Sequence, residues 1–300
     1  MRAIVVIGSL NEDMTVHAAR WPDAGETVHA ERLDWSAGGK GANQAAAAAR
    51  LGGEVTMVGH VGDDAPGRHL RAELSALGVD VTNVASVTGV PTGLAIVGLD
   101  DSGENRIVVI AGANACLDRA TLDGLDWEGV RVLLVQLEIP VPTVLAAAHA
   151  AHAAGAMVIL DPAPALTVPD ELLELVDVLT PNAQEATALA GRPVADVRTA
   201  RLVASELEAR GPRAVVITLG AAGAVLAEGN YVTHVPAPKV AAVETAGAGD
   251  AFNGALAVAL AEGQPLASAV IFANRVAAIS TTRPGTQASL PDRAAMASVP

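Results

Sequence analysis

Short runs of aliphatic residues alternate with alanine-rich segments of helical length along most of the chain. Buried strands are predicted at residues 4–8, 132–137, 157–161, 176–182 and 214–220. Helices are predicted at residues 42–51, 143–154, 184–190 and 198–210. Aliphatic strands that alternate with helices form parallel sheets covered on both faces, and such sheets bind ligands at the carboxyl ends of their strands. The pattern therefore predicts an α/β fold of three layers, αβα, around a mainly parallel central sheet.

Two regions break this alternation and predict a small antiparallel β lid. Residues 92–111 contain two apolar runs joined by the turn "DDSG", and residues 14–35 also lack the strand and helix pattern. No internal repeat or low-complexity linker divides the chain. We therefore expect one domain spanning residues 1–300, with lid strands inserted at about 14–35 and 92–111.

Composition disfavours several classes of partner. The 300 residues carry a formal net charge of −14 and only 2% aromatic residues, which disfavours binding to nucleic acid or to an anionic membrane. The most apolar stretch, residues 141–160, contains two histidines and a glycine and predicts a helix followed by a strand, not a membrane span. The single cysteine, Cys116, fits a reducing compartment, and the apolar run at the N-terminus is too short for a signal peptide. We expect a cytoplasmic protein that acts on small molecules.

The first glycine-rich stretch, "SAGGKGANQAAAAARLGG" at residues 36–53, leads into a helix. Its glycines let the backbone approach a polar ligand closely, and Lys40 and Asn43 can point into such a site. The alternative is a glycine turn that only starts a helix. A Walker A phosphate loop is excluded, because Asp34 replaces its first glycine and Gly41 replaces the Ser or Thr after the lysine.

The second glycine-rich stretch is "ETAGAGDAFNGAL". Gly247, Ala248 and Gly249 leave backbone N–H groups uncovered at the start of a helix, where the positive end of the dipole favours an anion. Asp250 follows directly, and the alternative is that this carboxylate only complements the dipole. Phosphoryl transfer requires a carboxylate beside an anion site, because the N–H groups stabilise the phosphoryl oxygens and the carboxylate accepts the proton of the attacking hydroxyl.

These two stretches resemble the two signatures of the ribokinase (PfkB) family of sugar and nucleoside kinases, and the resemblance extends along nearly the whole chain. Ten motifs follow the family's order and spacing: "GSLNED", "GGKGANQ", "VGDDAPG", "GENRIVVIAGAN", "QLEIP", "DPAPA", "LTPNAQEA", "TLGAAG", "TAGAGDAFNGAL" and "TRPGTQ". The resemblance implies the ribokinase-like fold and a carbohydrate kinase that uses ATP and Mg²⁺. "GGKGANQ" together with "AGAN" most resembles the branch that acts on D-ribose, so we expect phosphorylation of the primary hydroxyl of D-ribose to ribose 5-phosphate.

Three alternatives remain open at this point. A sibling kinase for another sugar or nucleoside, such as deoxyribose, fructose, adenosine or inosine, would keep the same catalytic residues. A non-catalytic binding protein for a sugar or nucleotide is disfavoured, because Asp250 is present. An NAD-linked oxidoreductase is disfavoured, because "GSLNED" stands where that class requires GxGxxG.

The resemblance also implies roles for individual residues. Asp250 matches the catalytic base, and Gly247, Ala248 and Gly249 match the anion hole. The expected sugar ligands are Asn11 and Asp13 on the loop after the first strand, then Gly39, Lys40, Asn43, Glu138 and Asp250. The nucleotide and its phosphates are expected at Asn182, Thr218, Gly220, Gly223, Gly249 and Asn274, and Glu185 with Asn182 is expected to help hold Mg²⁺ through water. Taken singly, Glu138 also fits a solvated strand end, Glu185 an ordinary first-turn helix acid and Asn274 a locally satisfied polar residue.

A bound monovalent cation, K⁺, is a further implication of the resemblance. The matching positions are Glu244, Ala246, Ser280, Arg283, Gly285 and Ser289. Glu244 departs from the family pattern, which mostly has Asp there, and its extra methylene leaves activation by K⁺ open. Asp161 is a second departure, since the family usually has Asn at this position. The resemblance also implies a homodimer formed through the lid.

Overall fold

The computed structural model describes residues 3–100 and 105–297. Its strands are β1 (Ile4–Ile7), β2 (Asn11–His17), β3 (Arg32–Gly38), β4 (Val55–Gly62), β5 (Asp80–Val87), β6 (Gly93–Leu99), β7 (Asn105–Ile110), β8 (Val132–Val135), β9 (Met157–Leu160), β10 (Val178–Leu179), β11 (Ala214–Thr218), β12 (Ala224–Glu228) and β13 (Tyr231–Val235). Its α-helices are α1 (Lys40–Arg50), α2 (Ala65–Ala76), α3 (Val141–Ala153), α4 (Asp170–Leu173), α5 (Ala183–Ala190), α6 (Val197–Glu208), α7 (Ala248–Ala261), α8 (Leu266–Ser280) and α9 (Arg293–Ala297). Within these described ranges, no helix combines the length and apolarity needed to cross a membrane.

The larger sheet has the strand order β13-β12-β11-β10-β9-β8-β1-β4-β5. Neighbouring strands from β11 to β5 pair in parallel, whereas β12 and β13 add antiparallel pairs at one edge. Successive residues of a strand point to opposite faces, so Ile4 and Val6 pack into one hydrophobic core and Val5 and Ile7 into the other. Burial on both faces explains why these strands are aliphatic throughout, and the predicted αβα fold is confirmed.

The predicted strands and helices are present, with some of their ends shifted. β10 is limited to Val178–Leu179 because Pro181, inside the predicted range 176–182, has no N–H for the ladder. Strands β4 and β5 and the hairpin β12–β13 were not predicted. β5 is the edge strand of the sheet, and polar residues such as Thr82 and Asn83 interrupt the aliphatic run that marks a buried strand.

The lid is a second sheet, with the strand order β3-β2-β6-β7. Its outer pairs are antiparallel, as predicted, whereas β2 and β6 run parallel with Asn11 opposite Gly93. The first lid strand begins at Asn11, three residues before the predicted boundary, because pairing with β3 and β6 extends it toward the core. Residues 101–103 of the predicted turn "DDSG" lie outside the described residues.

Candidate active site

Polar and charged side chains meet at the carboxyl ends of the central strands, where the lid joins the core. Glu138 follows β8 and Asp161 follows β9. Lys40 begins α1, and Asp250 lies in the first turn of α7. These groups are close enough for Lys40 to act electrostatically on all three carboxyls and on Glu185 in α5. Ligands of parallel sheets are expected to bind at these carboxyl ends of the strands.

Gly39 determines how α1 meets the first lid strand. Its φ of 89° lies in the left-handed region, and a Cβ there would lie 2.6 Å from the backbone nitrogen of Asn11. The bare backbone lets α1 begin against β2, in which Asn11 pairs with Gly38. Asn11 and Asp13 therefore lie in a strand, which corrects the expectation that they occupy a loop.

Asp250 is a buried carboxylate held by two side-chain amides. It is 6% exposed and follows Gly247, which caps α7 with a φ of 74° and without a side-chain hydrogen bond. Asn43 Nδ2 donates to Asp250 Oδ2 at 3.0 Å, and Gln44 Nε2 donates to Asp250 Oδ1 at 3.1 Å. Burial raises the pKa of Asp250, whereas the charge of Lys40 and the two amide donors act in the opposite direction. The carboxylate is thus fixed in orientation and poorly solvated, as a general base requires.

Further amides fix the two amides that hold this carboxylate. Gln136 Nε2 donates to Gln44 Oε1 at 2.6 Å, and Gln287 Nε2 donates to Asn43 Oδ1 at 3.0 Å. Gln44 also donates to Asp161 Oδ2 at 2.7 Å. Sequence reasoning identified Asn43 but missed the other three amides and the role of Asp161. Gln44 could have been found, because it directly follows Asn43 in a helix with no polar face.

The acid Glu138 faces inward and binds the start of α1. Its Oε2 accepts hydrogen bonds from Ser9 Oγ at 2.5 Å and from the backbone N–H of Lys40 at 3.2 Å. Close by in the chain, Asn11 Oδ1 accepts from Asn114 Nδ2 at 2.7 Å. These contacts are not those of a solvated strand end, which was the alternative interpretation of Glu138. They join the loop after β1, α1 and the lid at one point.

Asp13 carries a polar atom for which the described residues provide no partner. Its Oδ1 is buried without a hydrogen bond. Burial, together with the negative charges of Glu138 and Asp250, raises the pKa of Asp13 to about 7. Because buried carboxylate oxygens are nearly always hydrogen-bonded, this atom is a candidate acceptor for the hydroxyl groups of a ligand.

Lys40 is the cation that faces this group of acids. Burial lowers the pKa of Lys40, but the charges of Asp250, Asp161, Glu138 and Glu185 outweigh that effect and raise it. The ammonium group therefore stays charged throughout the physiological pH range. It offers three donors to an anionic or hydroxylated ligand.

Asn182 and Glu185 form a capping box at the start of α5. Asn182 Oδ1 accepts from the backbone N–H groups of Gln184 and Glu185, and Glu185 Oε2 accepts from the Asn182 N–H at 2.8 Å. Asn182 Nδ2 also donates to Glu185 Oε1 at 2.7 Å. Burial raises the pKa of Glu185. Glu185 is thus a helix N-terminal acid, as one interpretation had it, and its carboxylate also interacts electrostatically with Lys40 and Asp250.

The expected nucleotide residues lie along the neighbouring strands. Thr218 ends β11 and pairs with Asn182 through an isolated parallel bridge. Gly220 and Gly223 bound the turn that follows β11, both with positive φ. Asn274 is buried in α8, and its Nδ2 donates to the backbone oxygen of Val235 at 3.0 Å. The amide nitrogen of Asn274 is therefore satisfied locally.

The expected cation residues lie on two chain segments that meet beside the start of α7. The backbone N–H of Glu244 donates to Thr281 O at 3.1 Å, and Glu244 Oε2 accepts from the N–H of Gly285 at 2.9 Å. Ser280 Oγ and Ser289 Oγ donate to carbonyls within their own segment, those of Ala277 and Thr286. Ala246 and Arg283 belong to the same two segments. The structure therefore brings the two segments together at the Glu244 carboxylate, which contacts Gly285 among the expected residues.

The αβα core with a β lid, and the buried carboxylate at the N-terminus of α7, agree with the class of protein that the comparison with known families identifies, the carbohydrate kinases. Residues 1–293 match the family model described as pfkB family carbohydrate kinase, and the chain belongs to this family.

The chain is similar to curated and solved members of the family over its whole length. It is 41% identical over 295 residues to a ribokinase of Bacillus subtilis, covering 98% of this chain and 97% of that protein. It is 35% identical over 291 residues to a deoxyribokinase of Salmonella typhi, covering 96% and 95%. A solved Arabidopsis thaliana ribokinase, complexed with ribose and ATP, matches with a TM-score of 0.90 at 33% identity and covers 99% of this chain and 97% of that chain.

Proposed function

We propose that this protein transfers the γ-phosphoryl group of ATP to the primary hydroxyl of D-ribose, giving ribose 5-phosphate and ADP. The observation that carries the proposal is Asp250, a buried carboxylate in the first turn of α7 that two fixed amides orient. The similarity to ribokinases over nearly the whole chain supports ribose as the acceptor and ATP as the donor.

The reaction follows from the positions of these groups. The Asp250 carboxylate accepts the proton of the primary hydroxyl while the sugar oxygen bonds to the γ-phosphorus. The bond from that phosphorus to the bridging oxygen of ADP breaks, and ADP leaves. At the N-terminus of α7, the backbone N–H groups of Gly247 and Gly249 stabilise charge on the transferring phosphoryl oxygens. The N–H of Ala248, which was also expected in this anion hole, donates to Thr245 O at 3.2 Å.

The sugar is held between the core and the lid. The unpartnered Oδ1 of Asp13 accepts from its hydroxyls, and Lys40 and Asn43 in α1 act as donors. Glu138, Asn11 and Gly39 complete this pocket. Closure of the lid excludes water, so that ATP is not lost to hydrolysis.

The nucleotide and its Mg²⁺ occupy the side of the site that faces α5 and β11. Among the described residues, no three His, Cys, Asp or Glu side chains cluster so that they could hold a metal ion by themselves. Asn182 and Glu185 would hold a Mg²⁺ through water, because their oxygens already accept hydrogen bonds, and the ion would neutralise charge on the phosphates. Thr218, Gly220, Gly223, Gly249 and Asn274 contact the nucleotide in this proposal.

A monovalent cation, K⁺, binds beside the anion hole in the same proposal. The two segments meet at the Glu244 carboxylate, which fits a positively charged ligand. Glu244, Ala246, Ser280, Arg283, Gly285 and Ser289 are the residues that would surround it. The test is a rise in the unfolding temperature with KCl that an equal concentration of choline chloride does not give.

The lid surface supports a homodimer. Large apolar side chains are exposed on two of the lid strands: Leu33, Trp35, Ile107, Val108, Val109 and Ile110. An exposed apolar patch of this kind is typical of an interaction site, and β3 and β7 are also the edge strands of the sheet. A second copy of the lid would cover both the patch and the edges.

The experiment that tests the activity measures ADP release with MgATP and KCl across D-ribose, 2-deoxy-D-ribose, D-fructose, adenosine and inosine. We expect D-ribose to give the highest kcat/KM, and Asp250→Asn to lower it by about 10² to 10⁴-fold. The control is Asp196→Asn, the same exchange at the N-cap of α6, where Asn caps as well as Asp.

Each outcome separates the alternatives. If 2-deoxyribose or a nucleoside gives the highest value, a sibling kinase replaces the ribose-specific reaction. If no acceptor releases ADP above background, or if Asp250→Asn matches the wild type, phosphoryl transfer by this site is refuted.

A further inference from the structure

Asp161 is a buried acid that the reaction outlined above does not use. It directly follows β9 and is 4% exposed, and its backbone N–H donates to Val135 O at 2.9 Å. Its Oδ2 accepts from Gln44 Nε2 at 2.7 Å, and the same nitrogen donates to Asp250 Oδ1 at 3.1 Å. One amide group therefore connects the base to a second carboxyl.

The orientation of the Gln44 amide depends on three partners. Its Oε1 accepts from Gln136 Nε2 at 2.6 Å, while its Nε2 points to the two acids. A flipped amide would turn Oε1 toward both acids and its NH₂ group toward that of Gln136. Asp161 makes the shorter of the two hydrogen bonds from Nε2, so it contributes at least as much to this orientation as the base itself.

The surrounding charges favour an anion at Asp250 over one at Asp161. The charged groups that act on Asp161 are Lys40 in α1, Glu185 in α5 and Asp250 in α7, which are one cation and two acids. Asp250 has two amide donors and the N-terminus of α7, whereas Gln44 is the amide donor that reaches Asp161. Burial raises the pKa of Asp161 to about 8, against the charge of Lys40 and with the charges of Glu185 and Asp250. Burial raises the pKa of both carboxyls, and the two amide donors and the helix N-terminus at Asp250 favour the charge on Asp250 and the proton on Asp161.

We propose that Asp161 is a positioning residue for the catalytic base: as a neutral acid it holds the Gln44 amide toward Asp250 and leaves the charge of Lys40 to the base. When Asp161 ionises, it competes for that amide and that lysine. It also adds a negative charge beside the place where a polyanionic substrate must bind. We therefore expect kcat/KM to fall as the pH rises and Asp161 ionises. This inference rests on the proposed function only for its kinetic consequences.

The kinetic test compares wild type, Asp161→Asn and Asp161→Leu between pH 6 and pH 9.5. Asn keeps the shape of the neutral acid and its acceptor, so kcat/KM for MgATP at pH 7 stays within about threefold of wild type. The wild type loses about tenfold between pH 7 and pH 9, as expected for a group that titrates near 8, and Asp161→Asn loses less than twofold. Leu removes the acceptor, and it lowers kcat about tenfold with little change in the KM for sugar.

A matched control and an independent measurement complete the design. Asp177→Asn makes the same exchange at the other end of β9, where Asp177 Oδ2 accepts from the Val158 N–H, and it keeps the alkaline loss of the wild type. Infrared spectroscopy at pH 7 should show a protonated-carboxyl C=O band in the wild type that is missing from Asp161→Asn, and this difference should disappear as the pH rises past about 8. Asp13, with a pKa of about 7, contributes equally to both proteins. The band requires no substrate, so it tests Asp161 even if the proposed reaction is wrong.

Three results would overturn the proposal. One is a decrease in kcat/KM between pH 7 and pH 9 in Asp161→Asn that is as large as in the wild type. Another is the disappearance of this decrease in Asp177→Asn as well. The third is the absence of this difference between the C=O bands of the wild type and of Asp161→Asn at pH 7.

Discussion

Replacing Gln44 with Leu is the sharpest test of how the base is held. Leu has a similar size and no polar atom, so the change removes the hydrogen bonds of 2.6, 2.7 and 3.1 Å to Gln136, Asp161 and Asp250. All four side chains are buried. Each buried group that loses its partner costs about 1–3 kcal/mol. Asp250 keeps its bond from Asn43, so the expected loss in the free energy of unfolding is about 3–5 kcal/mol.

The assay is urea unfolding at pH 7, analysed by linear extrapolation, together with kcat for the folded variant. A loss of this size is a large part of the 5–15 kcal/mol typical of a whole domain, so it would be unmistakable in the midpoint. Gln184→Leu is the control, because Gln184 is an exposed glutamine of α5 and its replacement should change stability by less than about 0.5 kcal/mol. A Gln44→Leu protein within 1 kcal/mol of wild type, or with wild-type kcat, would refute the idea that this amide is a required support.

Three further predictions concern other parts of the molecule. The KM for ribose should rise as the pH falls below about 7, because Asp13, with its raised pKa, then loses the carboxylate form that accepts hydrogen bonds. Measuring KM from pH 5.5 to pH 9 checks this. Asp13→Asn should bind ribose weakly, with a KM that hardly changes with pH. Asp64→Ala should lower the free energy of unfolding in urea by about 2 kcal/mol, because Asp64 caps α2 and accepts hydrogen bonds from Thr92. These hydrogen bonds outweigh the effect of burial and lower the pKa of Asp64, so the stabilisation should be complete above pH 3.8 and be lost as the pH falls below it. Trp35→Glu should shift sedimentation toward the monomer without unfolding the protein, whereas an unchanged sedimentation coefficient would count against the lid dimer.

The chain's aliphatic runs were sufficient to predict β1 and β8 to β11 of the central sheet, because strands buried on both faces are aliphatic throughout. Strands that carry polar residues were harder to predict, and β4, β5 and the hairpin β12–β13 were missed. β2 contains Asn11 and Asp13 and resembles a polar loop in the sequence, because most of its side chains are only half-buried and do not belong to a hydrophobic core. Its pairing with β3 and β6 is non-local, and no local signal records it.

The site was predictable where a residue belongs to a motif, and less so where it only supports one. Lys40, Asn43 and Asp250 could be assigned from their glycine-rich stretches. Gln44 was missed because adjacent helix positions normally face different surroundings. In α1, however, the residues from Gly41 to Ala48 are all buried, so a polar side chain at any of these positions must find a buried partner. Gln136 and Gln287 come from distant parts of the chain, and only the folded structure brings them to the base.

The lid is attached to the core along one edge only, like a cantilever. Asn11, Gly38, Gly93 and Ile110 lie at this edge, since Asn11 is paired with both glycines and Leu94 is paired with Ile110. Asn11 and Asp13, the residues proposed to bind the sugar, lie at or beside this edge. We therefore expect a displacement of the outer lid, such as one caused by the proposed second copy, to move these two residues. Mutations on the outer face should accordingly change sugar affinity from a distance.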